Sequence, residues 1–74
     1  MTTLRDVAIG EACQIHRVIG DGELKRRIVA MGLTRGTTVR VTNLAPLGDP
    51  LELQVRGYQL SVRKDDAARI EVTL

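Results

Sequence analysis

Aromatic side chains are almost missing from this chain: Tyr58 stands alone, with no Phe and no Trp among 74 residues. Proteins that grip single-stranded nucleic acid or proline-rich peptides do so on aromatic platforms, so both partner classes are disfavoured at once. Cysteine is reduced to Cys13. No intramolecular disulfide can form, no second thiol is available for a cysteine-based zinc site, and a reducing compartment is favoured. His16 is the only histidine. No apolar run approaches the ~18 residues a bilayer span needs, and the N-terminal Met1-Thr2-Thr3-Leu4-Arg5-Asp6 is charged where a signal sequence is apolar. The expectation is a soluble, cytoplasmic protein that does not itself span a membrane.

What is present is a globular composition, 43% apolar and 27% charged. This length suits one domain, residues 1–74, with a net stability of only about 3–5 kcal/mol. The formal charge of +2, from 11 basic and 9 acidic residues, does not by itself imply nucleic acid.

Alternation of period two recurs along the chain and predicts short strands. Leu4, Val7 and Ile9 lead to a turn at Gly10, followed by a strand over residues 12–19. There Cys13 and Ile15 share one face, with Gln14 and His16 on the other. Gly20-Asp21-Gly22 ends it. The period then changes: Leu24, Ile28 and Met31 fall at i, i+4 and i+7, predicting a helix over residues 23–31 that Asp21 or Gly22 caps and Gly32 ends. Lys25 and Arg26 lie on its opposite side, with Arg27 at the border, as either a solvated face or a binding patch.

After the turn Leu33-Thr34-Arg35-Gly36, Val39 and Val41 mark a second strand, and Leu51, Leu53 and Val55 a third. Gly57 makes a tight turn or bulge into a fourth, where Tyr58, Leu60 and Val62 alternate with polar neighbours. One helical turn over residues 64–68 carries Asp65 and Asp66 at its positive end, and a last strand holds Ile70 and Val72. Five strands with one inserted α-helix make a mainly β fold, a small, strongly bent antiparallel barrel of the SH3-like kind.

Catalytic chemistry does not assemble. Three residues along a strand separate Cys13 from His16, which puts them on opposite faces, so the expectation is a buried thiol, an exposed imidazole and no shared metal. His16 has no orienting carboxylate nearby in sequence, the acids are scattered, and Gly20-Asp21-Gly22 lacks the remainder of a phosphate-binding motif. An enzyme, a cofactor and a metal site are not expected.

The stretch Ala45-Pro46-Leu47-Gly48-Asp49-Pro50 is a different matter. Both prolines fix their own φ and restrict the residue before them, while Gly48 can take a positive φ that Leu47 would resist. Such a loop is ordered before it meets a partner, so binding through it loses little entropy. It is either a recognition element or a plain turn that needs those residues.

Three ordered motifs carry a resemblance that covers nearly the whole chain. They are Arg27-Ile28-Val29-Ala30-Met31-Gly32-Leu33-Thr34-Arg35-Gly36-Thr37, then the Ala-Pro-Leu-Gly-Asp-Pro loop, then Gly57-Tyr58-Gln59-Leu60-Ser61-Val62-Arg63 with Ala67 and Ile70-Glu71-Val72. Together they resemble FeoA, the small SH3-like cytoplasmic component of bacterial ferrous iron uptake. The resemblance implies a non-enzymatic accessory protein that supports FeoB, the permease whose cytoplasmic portion carries a GTP-binding domain, and so a place at the inner face of the membrane when bound. It makes Arg26, Arg27, Pro46, Leu47, Asp49, Arg56 and Tyr58 the candidate partner contacts, while Ile28, Met31 and Leu33 are expected in the core. Two other classes stay open. One is a DNA-associated regulatory module using a basic stripe through Lys25, Arg26, Arg35, Arg40, Arg56, Arg63, Lys64 and Arg69, although stable nucleic-acid binding is not expected. The other is a metal-responsive module with ligands from Cys13, His16 or the acids across a subunit interface.

Overall fold

The alternating runs form five antiparallel strands in the computed structural model, which describes residues 2–74. In chain order these are β1 (Ala12–Val18), the helix α1 (Gly22–Ala30), β2 (Thr38–Leu44), β3 (Leu51–Val55), β4 (Tyr58–Val62), the single-turn helix α2 (Lys64–Ala67) and β5 (Ile70–Thr73). A short 3-10 turn, Leu4–Asp6, precedes them. The sheet runs β4-β3-β2-β1-β5. Its strong bend follows from how β1 is shared. Residues Ala12 to Gln14 pair with β2, whereas Gln14 to Val18 pair with β5, so one strand serves both halves of the barrel.

Two bulges sharpen that bend. On β1 the register shifts between Ile15 and Arg17, leaving His16 as the extra residue. On β2 it shifts between Val41 and Asn43, around Thr42. A bulge sets two residues against one on the partner strand and so resets the inward face. Cys13 and Ile15 point inward as the alternation predicts, and beyond the bulge Val18 packs against the core from an odd spacing. Strict alternation therefore fails at the place where the strand turns.

The core is aliphatic. Val39, Val41, Leu53, Val55, Ile28 and Ile70 are wholly buried, together with Leu4 from the N-terminal turn. Helix α1 starts at Asp21, whose carboxylate accepts from the Leu24 amide at 2.8 Å. It ends in a Schellman motif: the Leu33 amide donates to Ile28 O at 3.3 Å and the Gly32 amide to Val29 O at 2.9 Å, with Gly32 at φ 93°. Ile28 and Leu33 are both buried at that end, supplying the apolar contact the motif usually carries.

Three expectations need correction. Met31 is only half-buried, because it is the C-cap of α1 and sits where the chain leaves the core. Ile19, read as part of the first strand, lies beyond the end of β1 and is exposed. His16 is half-buried rather than exposed, because the bulge brings it beside β5.

Candidate partner-binding surface

Segment 45–50 joins β2 to β3 and is fastened at its base and across its turn. The Ala45 amide donates to Pro50 O at 3.1 Å, and the Gly48 amide donates to Ala45 O at 2.7 Å. Gly48 takes φ 82°, as its place between Leu47 and Asp49 requires, and the Asp49-Pro50 peptide is cis. Leu47 is thereby held out at 94% exposure, the largest of any large hydrophobic side chain among the described residues. An apolar side chain so placed makes no contribution to the core.

Asp49 turns back into the fold. Its Oδ1 accepts from the Lys64 amide at 2.9 Å, and its Oδ2 lies 3.9 Å from the Arg63 guanidinium. Arg63, the N-cap of α2, makes no side-chain cap of its own, so Asp49 meets an otherwise free amide of that turn from another part of the chain. The loop is locked to α2 by this bond.

The other candidates lie on α1 and at the β3–β4 turn. Arg27 pairs with Asp66 of α2 through Nη2 at 3.1 Å, joining the two helices. Tyr58 donates its hydroxyl hydrogen to Met31 O at 2.9 Å, satisfying a carbonyl at the end of α1. A Cβ at Gly32 would run into that hydroxyl, so any other residue there would have to displace the Tyr58 side chain as well as accept a left-handed φ. Arg56 and Gly57 form the two-residue β3–β4 turn with φ 49° and 88°, both left-handed as a type I′ turn demands. Arg26 is exposed on α1 and has no ion-pair partner among the described residues.

These residues do not form one compact patch. The loop and the Arg56–Gly57 turn sit at opposite ends of β3, about 20 Å apart from residue 50 to residue 56. They are linked instead around the helices, from Asp49 to α2, from Asp66 to Arg27 on α1, and from Met31 to Tyr58.

One cluster was not visible in the sequence. Glu71 on β5 lies 3.6 Å from His16 Nε2 and accepts from Arg17 Nε at 3.2 Å. The carboxylate that His16 lacks locally thus arrives from 55 residues away across a strand pair, and the bulge lets two consecutive side chains reach it. Arg17 already occupies one of its oxygens. Among the described residues no three His, Cys, Asp or Glu side chains are grouped to hold a metal ion. Cys13 is buried; desolvation, with the nearby Glu11 charge adding to it, pushes its thiol above the ordinary range and keeps it protonated and unreactive. No helix among the described residues is long and apolar enough to cross a membrane.

The same fold occurs in proteins of ferrous iron transport. The FeoA domain model matches residues 2–74. A Porphyromonas gingivalis Fe(2+) transport protein A/Fe(2+) transporter FeoB fusion protein is 41% identical over 71 residues, which are 96% of this chain but 8% of that much longer relative. The solution structure of FeoA from Chlorobium tepidum superposes with a TM-score of 0.90 at 32% identity, over 99% of this chain and 70% of the other. Stenotrophomonas maltophilia FeoA, an SH3 domain protein whose crystal structure contains zinc, superposes with a TM-score of 0.83 at 25% identity, over 97% of this chain and 89% of that one. With an SH3-like barrel, a family model matched from end to end and a relative at this identity, the chain belongs to the FeoA family of ferrous iron transport.

Proposed function

We propose that this domain is a non-enzymatic accessory protein of ferrous iron uptake that acts by contact with the cytoplasmic, GTP-binding portion of FeoB, at the inner face of the membrane. The observation that carries the reading is the relative in which the FeoA and FeoB units share one polypeptide. Fusion holds two partners at high effective concentration, and separate chains must replace that tether with surface affinity. Leu47 suits such a surface. A fully exposed apolar anchor on a fastened loop has the character of a contact point in a small transient interface, and the exposed Arg26 and Arg27 on α1 offer charge to a partner that reaches both. Pro46 shapes the loop and Asp49 secures it, so they serve the contact by holding Leu47 in place.

The test is a titration of FeoB, in detergent or nanodisc, with the wild-type domain and with folded Leu47→Ser and Arg26→Glu variants. Both substitutions are expected to weaken binding by about tenfold or more. Unchanged affinity in both removes this surface from the interface, and a wild-type domain that ignores FeoB with and without a GTP analogue removes the reading itself.

A further inference from the structure

Helix α1 leaves a groove on the flank opposite the one that Arg27 ties to α2. It lies between α1, β1 and the turn over residues 33–36, and encloses about 310 Å³, at the lower end of the ~300–1,000 Å³ typical of ligand sites. Val29, one turn beyond Lys25 on the same flank, faces it at 51% exposure and offers an apolar side chain to whatever enters. Val18 and the buried Leu33 complete an aliphatic floor.

The rim has one sign of charge. Lys25, Arg35 and Arg17 line the groove, beside His16, and no carboxylate does. Glu71 approaches only from the β5 side, where it already engages Arg17 and His16. Lys25 and Arg35 are exposed and have no ion-pair partner among the described residues. The walls are held before any ligand arrives. The Gly36 amide donates to Ile15 O at 2.8 Å and the Ile15 amide to Thr37 O at 2.9 Å, which pins the turn bearing Arg35 against β1. The hydroxyls of Thr34 and Thr37 meet at 2.9 Å within the same turn.

We propose that this groove binds an acidic segment of a partner protein, with one apolar side chain of that segment seated on Val29 and its flanking carboxylates on Lys25 and Arg35. Charge complementarity selects the acidic partner, and the preformed walls reduce the entropy lost on binding. Single-stranded nucleic acid fits less well, because no aromatic side chain lines the groove for bases to stack on, and a duplex backbone would leave its aliphatic floor unused. The site shares no residue with the Leu47 loop or the Tyr58 corner, and it does not depend on the identity of the partner met there.

The experiment is an amide chemical-shift titration of the 15N-labelled domain with a short oligoglutamate peptide carrying one central leucine. Comparison probes are the same peptide with glycine for leucine, its lysine counterpart and a short DNA duplex. Shifts are expected to concentrate at Val18, Val29 and residues 33–35. The doubly substituted Lys25→Glu, Arg35→Glu variant should lose about tenfold or more in affinity. Val29→Ser should lose several-fold, while Leu47→Ser should bind as the wild type does. The proposal is overturned by no shifts at millimolar peptide, by shifts spread over Arg56, Arg63 and Lys64, or by equal binding of the glycine or lysine peptide. Tighter binding of the duplex at the same amides also overturns it, as do groove shifts that follow the domain's own concentration, which would identify a second copy as the occupant.

Discussion

Gly32 is where backbone and side chain constrain one another most tightly. Its φ of 93° is left-handed, and the Tyr58 hydroxyl occupies the space a Cβ would need. Gly32→Ala should therefore destabilise the domain by about 2 kcal/mol or more, combining the left-handed penalty with displacement of Tyr58. Tyr58→Phe should cost about 1 kcal/mol, the usual net value of one hydrogen bond. In a Tyr58→Ala background Gly32→Ala should cost measurably less, because only the backbone penalty remains; urea unfolding of the four proteins in a double-mutant cycle reads the difference. Arg56 presents the opposite case, a long side chain in a left-handed position that Asn adopts more readily. Arg56→Asn should raise stability by about 0.5–1 kcal/mol and Tm by several degrees. If Arg56 is retained for contact, the same variant should bind FeoB more weakly; a raised Tm with unchanged affinity removes Arg56 from the interface.

At the scale of elements, the 45–50 loop and α2 form one unit through Asp49. Removing that carboxylate leaves the Lys64 amide without its partner and frees the loop from the β4–α2 corner. Asp49→Ala should cost about 1 kcal/mol, as loss of a helix cap does, and speed hydrogen exchange at the Lys64 and Gly48 amides ahead of the sheet. Leu47→Ser should stay within about 0.5 kcal/mol of wild type, since Leu47 contributes nothing to the core. Weakened partner binding in both variants, with loosened exchange in only the first, would separate the residue that holds the loop from the residue that meets the partner. Helix α1 is arranged in the same divided way. One flank is tied to α2 by Arg27 and Asp66, and the other borders the groove with Lys25 and Val29.

For the whole molecule, a small aliphatic core leaves little reserve. Ile28 is wholly buried, and Ile28→Ala should cost about 2–5 kcal/mol, a large share of the ~3–5 kcal/mol expected for a domain of this size. Circular dichroism at 25 °C should show a substantially unfolded population, and loss of partner binding in that variant reports folding rather than contact. Surface variants such as Arg26→Glu and Leu47→Ser are informative because they leave this balance alone.

Period and turn chemistry were sufficient to place the elements. Alternating Val39 and Val41, and Leu51, Leu53 and Val55, could only be half-buried strands, and the i, i+4 spacing of Leu24 and Ile28 between Asp21 and Gly32 could only be a capped helix, because these are local consequences of backbone geometry. The Pro-Gly-Pro loop was legible for the same reason, as was the burial of Cys13 opposite a polar face. What joins those elements was decided by the tertiary structure alone. The Glu71 pairs with His16 and Arg17, the Arg27–Asp66 bridge, the Asp49 cap on α2 and the groove beside Val29 unite residues far apart in the chain. The bulge at His16 changes which side chains face inward: Arg17 stands where strict alternation would place an apolar residue and Val18 takes its place, but that broken alternation alone does not say which residue is extra, and the pairing with β5 settles it.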